Sequence, residues 1–325
     1  MRVFLNSCAL ALTVLSATVP DLAADDSTNP EDATANPYGE RRTCRSDEAA
    51  FFLRASIDDA SLIGCNALGD VSGEKSFDAI AKGGSLSYDD NNGNDDGALN
   101  IKGVFGYMIP GRDAKQLNPN GWVRSETAYA IYLDADGALI EDTSNVGVLE
   151  LGVRAQMAFT HSDLPFLGLD VTIYALTDFD LDAEAYGARV SITPENAAWN
   201  LNGYTLQGKG NYWRIVFEPT LDFLSVEDAG ETDLDSNEGY LWAGSKLGLE
   251  AFSTQIGASG ASFETGLNAY DDLQSDSDAV DFYARAELYL NEKRTISIRI
   301  KYEDGTPRNT LEERETFSIA FGLAF

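Results

Sequence analysis

From about residue 79 to the last residue, apolar side chains recur at every second position. Leu149, Leu151, Val153, Ala155, Met157 and Phe159 fall on one face of an extended chain, and Glu150, Gly152, Arg154 and Gln156 fall on the other. Leu167, Leu169, Val171, Ile173 and Ala175 oppose Asp170, Thr172 and Tyr174 in the same way. Phe282, Ala284, Ala286, Leu288 and Leu290 oppose Tyr283, Arg285, Glu287 and Tyr289, and Ile296, Ile298, Ile300 and Tyr302 oppose Arg299 and Lys301. A period of 2 is the strand period. Twelve such stretches are expected, at about 79–88, 98–109, 122–133, 146–160, 166–177, 184–193, 211–218, 240–251, 261–270, 281–290, 295–303 and 315–325. Most are about 9–12 residues long, the length of a tilted strand that crosses a bilayer.

The final stretch, ETFSIAFGLAF, sharpens this. Phe317, Ile319, Phe321, Leu323 and Phe325 share one face, and Ser318, Ala320, Gly322 and Ala324 share the other. As the edge of a soluble sheet, so apolar a strand would invite aggregation. In a closed barrel within lipid the edge disappears and the apolar face is covered. These five residues, ending on an aromatic, resemble the C-terminal insertion signal of Gram-negative outer-membrane β-barrels. The resemblance implies an all-β, transmembrane, antiparallel up-and-down barrel of about twelve strands, with its C-terminus in the periplasm. It implies outer-membrane lipid and lipopolysaccharide as surroundings, and the barrel assembly machinery as a partner during biogenesis.

A soluble sandwich also alternates, so the loops matter. The connections that a periplasmic C-terminus would make extracellular (89–97, 134–145, 178–184, 227–238, 271–281 and 303–313) hold 27 Asp and Glu against one Arg. The other five (110–121, 161–165, 194–210, 252–260 and 291–294) hold 4 acids and 5 bases. A sandwich has no reason to sort charge by loop parity, whereas a barrel with two different ends does. Such acidic loops suit diffuse divalent-cation bridging to lipopolysaccharide. Asp89–Gly97 lacks the pattern of an EF-hand, so no metal site is assigned.

The N-terminus is organised differently. Residues 1–24 have the form of a secretory signal: Arg2, an apolar run from Val3 to Val19, then small residues at Ala23 and Ala24. Residues 25–75 form a polar periplasmic leader with a short helix, and residues 76–325 the barrel. Ser46 suits a helix N-cap, followed by Asp47 and Glu48. Ala49, Leu53, Ile57 and Ala60 then lie at helical spacing up to about Ile63. Cys44 and Cys65, the two cysteines beyond the signal, are expected to form a disulfide in an oxidising compartment. This segment either packs beside the barrel mouth or plugs its lumen.

The net charge of −30 argues against a nucleic-acid partner. Yet the face opposite the apolar one collects Lys102, Arg124, Arg154, Arg189, Arg214, Lys246, Arg285, Arg299 and Lys301. Against these nine bases stand six acids there: Glu126, Glu150, Asp170, Glu218, Glu250 and Glu287. A basic ladder in a water-filled lumen favours anions, because charged rings set pore selectivity. The leading expectation is therefore a narrow porin-like channel for passive diffusion of small anionic solutes. The architecture is similar to the twelve-stranded monomeric channels for acidic oligosaccharides. The alternative is that these charges pair and close the lumen, giving a structural or adhesin barrel with acidic surface loops. A third reading, an outer-membrane hydrolase, rests on the single histidine, His161, beside Ser162 and Asp163. Neighbours in a strand face opposite ways, and HSDLP reads as a tight turn, so no catalytic residue is assigned. No phosphate loop or zinc spacing occurs, and no cofactor is expected.

Overall fold

A computed structural model describes residues 50–57, 84–90, 97–110, 115–116, 123–140, 146–160, 167–196, 199–202, 211–230, 232–257, 259–275, 277–291, 294 and 296–323. The strands are β1 (Ala50–Arg54), β2 (Gly84–Asp90), β3 (Gly97–Pro110), β4 (Lys115–Gln116), β5 (Val123–Ile140), β6 (Val146–Thr160), β7 (Leu167–Asp178), β8 (Glu184–Pro194), β9 (Tyr212–Asp228), β10 (Gly239–Ser253), β11 (Ala261–Asp272), β12 (Asp278–Tyr289), β13 (Ile296–Gly305) and β14 (Arg314–Leu323). Twelve of them form a closed antiparallel ring, with β2, β3 and β5 through β14 joined in chain order and β14 returning to β2. One ring strand falls on each of the twelve expected stretches. The up-and-down order gathers the acidic connections at one end of the barrel, called here the loop end. The other five connections lie at the other, the turn end.

The barrel is inside-out relative to a soluble sheet protein. Its outer surface is a belt of large apolar side chains, among them Ile173 at 66% exposure and Phe317 at 63%. The ring strands alternate along their length, so the charged partners of these residues point inward. Asp222 and Arg299 are both at 1%. No helix among the described residues is long and apolar enough to cross a membrane.

The expected N-terminal helix is corrected over the residues that can be seen. Ala50–Arg54 is a strand, hydrogen-bonded to β3 with Ala50 opposite Met108 and Arg54 opposite Val104. Side-chain packing overrides the helical spacing here. Phe51 turns outward and stacks on Phe105 at 5.5 Å, with Tyr107 at 4.8 Å. Phe52 turns inward and covers Gly106, where any Cβ would meet its ring. Alternation of neighbours is what a strand provides. Residues 46–49 and 58–63 of the expected helix, the signal segment 1–24, the Cys44–Cys65 pair, His161 with Ser162 and Asp163, and Phe325 lie outside the described residues.

Several strands outrun a bilayer-length reading. β5 has 18 residues, β9 has 17, and β6 and β10 have 15 each. The extra length carries acids expected in loops, such as Asp134 and Asp136, into the barrel wall with their side chains facing the lumen.

Candidate functional site

The lumen gathers the chemistry. Each expected basic residue whose side chain is described has a carboxylate partner. Arg154 meets Asp170 at 2.7 Å, and Gln156 donates to the same carboxylate at 3.2 Å. Arg189 bridges Asp222 at 2.9 Å and Glu150 at 3.2 Å. Arg214 donates to Glu250 at 2.8 Å, and Tyr212 donates to the same group at 2.6 Å. Lys246 lies 3.7 Å from Glu264, which also accepts from Arg285. Arg299 pairs with Glu287 at 3.0 Å. Lys102 meets Asp136 at 2.5 Å and Glu303 at 3.5 Å, and Lys301 pairs with Glu303 as well. Arg124 sits on β5 opposite Phe159, and its side chain is outside the described set.

This overturns the expected basic excess. Asp134, Asp136, Asp222, Glu264, Asp281 and Glu303 all face the lumen in addition to the acids foreseen. Acids therefore outnumber bases among the described lumen residues. A cation already neutralised by a carboxylate within hydrogen-bond reach presents little net field to a passing anion.

The loop end is filled from within. Tyr240 and Trp242 stack at 5.4 Å with their rings nearly parallel, 2° apart. Tyr240 therefore belongs to the interior. Tyr174, Tyr270, Leu224 and Val226 join this pair, with Leu234 and Ala229 from the connection 229–238. The connection 306–313 folds onto the same cluster: Leu311 packs against it, and Asp233 N donates to Thr310 O at 2.8 Å. From this connection Arg308 reaches inward. Its Nε donates to Asp222 Oδ2 at 2.9 Å, and its guanidinium lies over the Tyr270 ring at 4.3 Å. Asp222 thus accepts from Arg308, Arg189 and Tyr174, the last at 2.8 Å.

The turn end is filled by two other groups. After β1 the chain turns into the barrel, burying Ala55 and Ile57. Ile57 N donates to Asp134 Oδ2 at 3.0 Å, and Ile57 O accepts from Arg154. Phe52, Ile57, Val104, Ala130 and Tyr132 form an apolar cluster there. On the far wall Phe252 stacks on Tyr212 at 5.8 Å, and the Arg294 guanidinium caps Phe252 at 4.5 Å. Residues 55–57 are thus the part of the leader seen inside the lumen.

Between these fillings lies a polar cavity of about 230 Å³. Lys102, Arg189, Lys246, Arg285, Lys301 and Arg308 line it, together with Asp134, Asp136, Glu150, Glu218, Glu264, Asp281 and Glu303. The described residues include no group of three or more His, Cys, Asp or Glu arranged to hold a metal ion. Sequence reading missed Arg308 and Asp222, the two residues that join a loop to the wall. The one base among the acidic loop-end connections was the available signal.

No protein-family model matches the chain. No curated protein matches it either. Among solved structures, the chain is similar to one described as "Unveiling the Mechanism Behind the in-meso Crystallization of Membrane Proteins". The identity is 12% and the TM-score 0.34, over 74% of this chain and 83% of that one.

Proposed function

We propose that the protein is an outer-membrane β-barrel closed along its axis, which holds a crown of acidic loops at the cell surface and does not serve as an open diffusion channel for anions. The exposed apolar belt supports the membrane location, since only lipid makes such a surface favourable around a closed barrel. The loop end, with its concentrated carboxylates, is the extracellular end in this reading, and the C-terminus is periplasmic. The observation that carries the closure is the Arg308–Asp222 contact, which draws the connection 306–313 into the mouth over an aromatic cluster. The pairing of the lumen bases is the second support. A twelve-stranded ring lies between barrels filled by side chains and barrels that leave a channel, and here the interior is occupied.

The test is single-channel conductance of the refolded chain in a planar bilayer under a salt gradient, with folding checked by heat-modifiable gel migration. A silent, folded barrel is expected. Discrete steps with an anion-favouring reversal potential would restore the porin reading and make the lumen bases its filter.

A further inference from the structure

The ring closes through a short seam. Among the described residues β14 and β2 are in register at three pairs, Phe321 with Leu86, Gly322 with Ser85 and Leu323 with Gly84. On its other side β14 runs beside β13 over ten pairs, from Gly305 with Arg314 to Ile296 with Leu323. β2 runs beside β3 over six, out to Asp90 with Gly97. Toward the loop end both strands therefore continue, 314–320 on β14 and 87–90 on β2, with no registered partner across the seam among the described residues. The ring pairs that do not involve β2 stay in register for eight pairs or more.

What lies behind this stretch is the polar cavity. Lys301 is opposite Ser318 and Glu303 is opposite Thr316, so both stand beside the unregistered part of β14. Lys102, on β3, stands beside β2 opposite Ser85. The 3.5 Å contact from Lys102 to Glu303 spans β2 and β14 from the inside. The inner wall between is thin, because β14 offers Ser318, Ala320 and Gly322 to the lumen. Outside, Phe317, Ile319, Phe321 and Leu86 form an exposed apolar rim. A charge-paired cavity, closed along the barrel axis, thus meets the membrane across a weakly paired seam.

We propose that the β14–β2 seam is a lateral opening through which the headgroup of a single-chain zwitterionic phospholipid enters the cavity from the membrane. This rests on the membrane location and axial closure proposed above. The chain lies along Phe317, Ile319 and Phe321 while the head passes the small residues of β14. Its phosphate meets Lys102 and Lys301, and its ammonium group meets Asp136 and Glu303. The paired state of these four residues selects the class of head. An anionic head would leave two buried carboxylates without partners, and a cationic head would strand two lysines, each a costly outcome in a low-dielectric interior. A zwitterion exchanges one set of pairs for another and strands nothing.

The refolded full chain would be placed in bilayers doped with lysophosphatidylcholine, and lipid retained on release measured by native mass spectrometry. One bound lysolipid is expected. Continuing the register puts Tyr88 opposite Ile319. A Tyr88→Cys/Ile319→Cys pair, in a chain with Cys44→Ser and Cys65→Ser, staples the seam on oxidation. Occupancy should fall by about tenfold or more, a change of about 1.4 kcal/mol, and return on reduction. Ser318→Trp, which fills the inner wall without any thiol, should give the same loss. Glycerophosphocholine, the same head without the chain, should not load from solution. Equal retention with the seam stapled and filled, or equal loading of glycerophosphocholine, would overturn the lateral opening. A barrel that is silent in the bilayer yet retains no lysolipid overturns this inference alone, whereas conductance steps overturn the axial closure beneath it.

Discussion

Arg308 donates to Asp222 across 86 residues of sequence, joining the last connection of the barrel to β9. Asp222 is the receiver of three donors, while Arg308 contributes one of them. The two residues should therefore differ in weight. Asp222→Ala removes the acceptor shared by Arg189, Arg308 and Tyr174 and should cost about 3–5 kcal/mol, the range for breaking a buried pair. Arg308→Ala leaves Asp222 with Arg189 and Tyr174 and should cost about 1.5–3 kcal/mol, as for one charged hydrogen bond. Urea unfolding of the refolded barrel measures both, and the reverse order would show that Asp222 is not the hub.

The Arg299–Glu287 pair tests whether the lumen bases are structural. Both side chains are almost wholly buried, and Ser297 donates to the same carboxylate. Arg299→Gln should destabilise the barrel by about 3–5 kcal/mol, because it leaves Glu287 buried without its cation. Adding Glu287→Gln should recover much of that loss, since the stranded charge is then gone. A single variant with unchanged stability would mean that Arg299 is solvated enough to serve a pore.

The two fillings are arranged in series along the axis, which makes their effects on conductance non-additive. A chain lacking residues 25–75 loses β1 and the inward turn at Ile57, and frees Arg154 and Asp134 of their backbone contacts. It should still form the ring, because no ring strand lies in that segment. The deletion alone should stay silent, as the aromatic cluster and Arg308 still close the loop end. Arg308→Ala alone should stay silent as well. Only the combination should give discrete steps in a planar bilayer. Steps from the deletion alone would mean that the loop end is already open.

Much of this fold can be read from the chain because one rule, alternation, operates on every ring strand. Ile298 and Ile300 point out while Arg299 points in, and that parity needs no tertiary context. The error lay in strand length. A strand measured against the bilayer ends near Leu133 or Glu218, since charged residues follow. Lumen-facing carboxylates cost little where the interior supplies Lys102 or Arg189, so β5 runs on through Asp134 and Asp136, and β9 through Asp222. Asp134 and Asp136, assigned to a loop, and Asp222, beyond the expected end of its strand, are thus wall residues; their omission, with that of Glu264 inside an expected strand, produced the apparent basic excess. Arg308 escaped notice for another reason: it stands out as the one base among the acidic loops, but that does not say where its loop folds. Ala50–Arg54 falls within the stretch where Ala49, Leu53, Ile57 and Ala60 have helical spacing, and five residues carry too little periodicity to separate strand from helix.

Gly187 offers a test of the interior packing. A Cβ at this position would fall on the ring of Tyr174, which lies across the neighbouring strand and donates to Asp222. Gly187→Ala must push that ring away. The expected cost is about 1–3 kcal/mol from overpacking, and the same displacement breaks the Tyr174–Asp222 hydrogen bond. Combining Gly187→Ala with Tyr174→Ala should therefore remove most of the glycine penalty, leaving only the loss due to the tyrosine. Additive effects in urea unfolding would show that the ring does not rest on this glycine.

The membrane reading itself turns on the outward face, where Ile173 is flanked in sequence by the inward Thr172 and Tyr174. At 66% exposure its side chain touches little protein, so a soluble sheet would accept a charge there within about 0.5 kcal/mol, as at other surface sites. In a bilayer the same position faces hydrocarbon. Ile173→Arg should then cost about 2–4 kcal/mol near the midplane, and the cost should shrink toward the interfaces, at Tyr186→Arg for example. The measurement is reversible unfolding from liposomes, with each variant compared against the original chain. A penalty that follows depth identifies the belt as lipid-facing. Equal and small effects at both sites would mean that the apolar belt is covered by something other than lipid, and the outer-membrane location would fall with it.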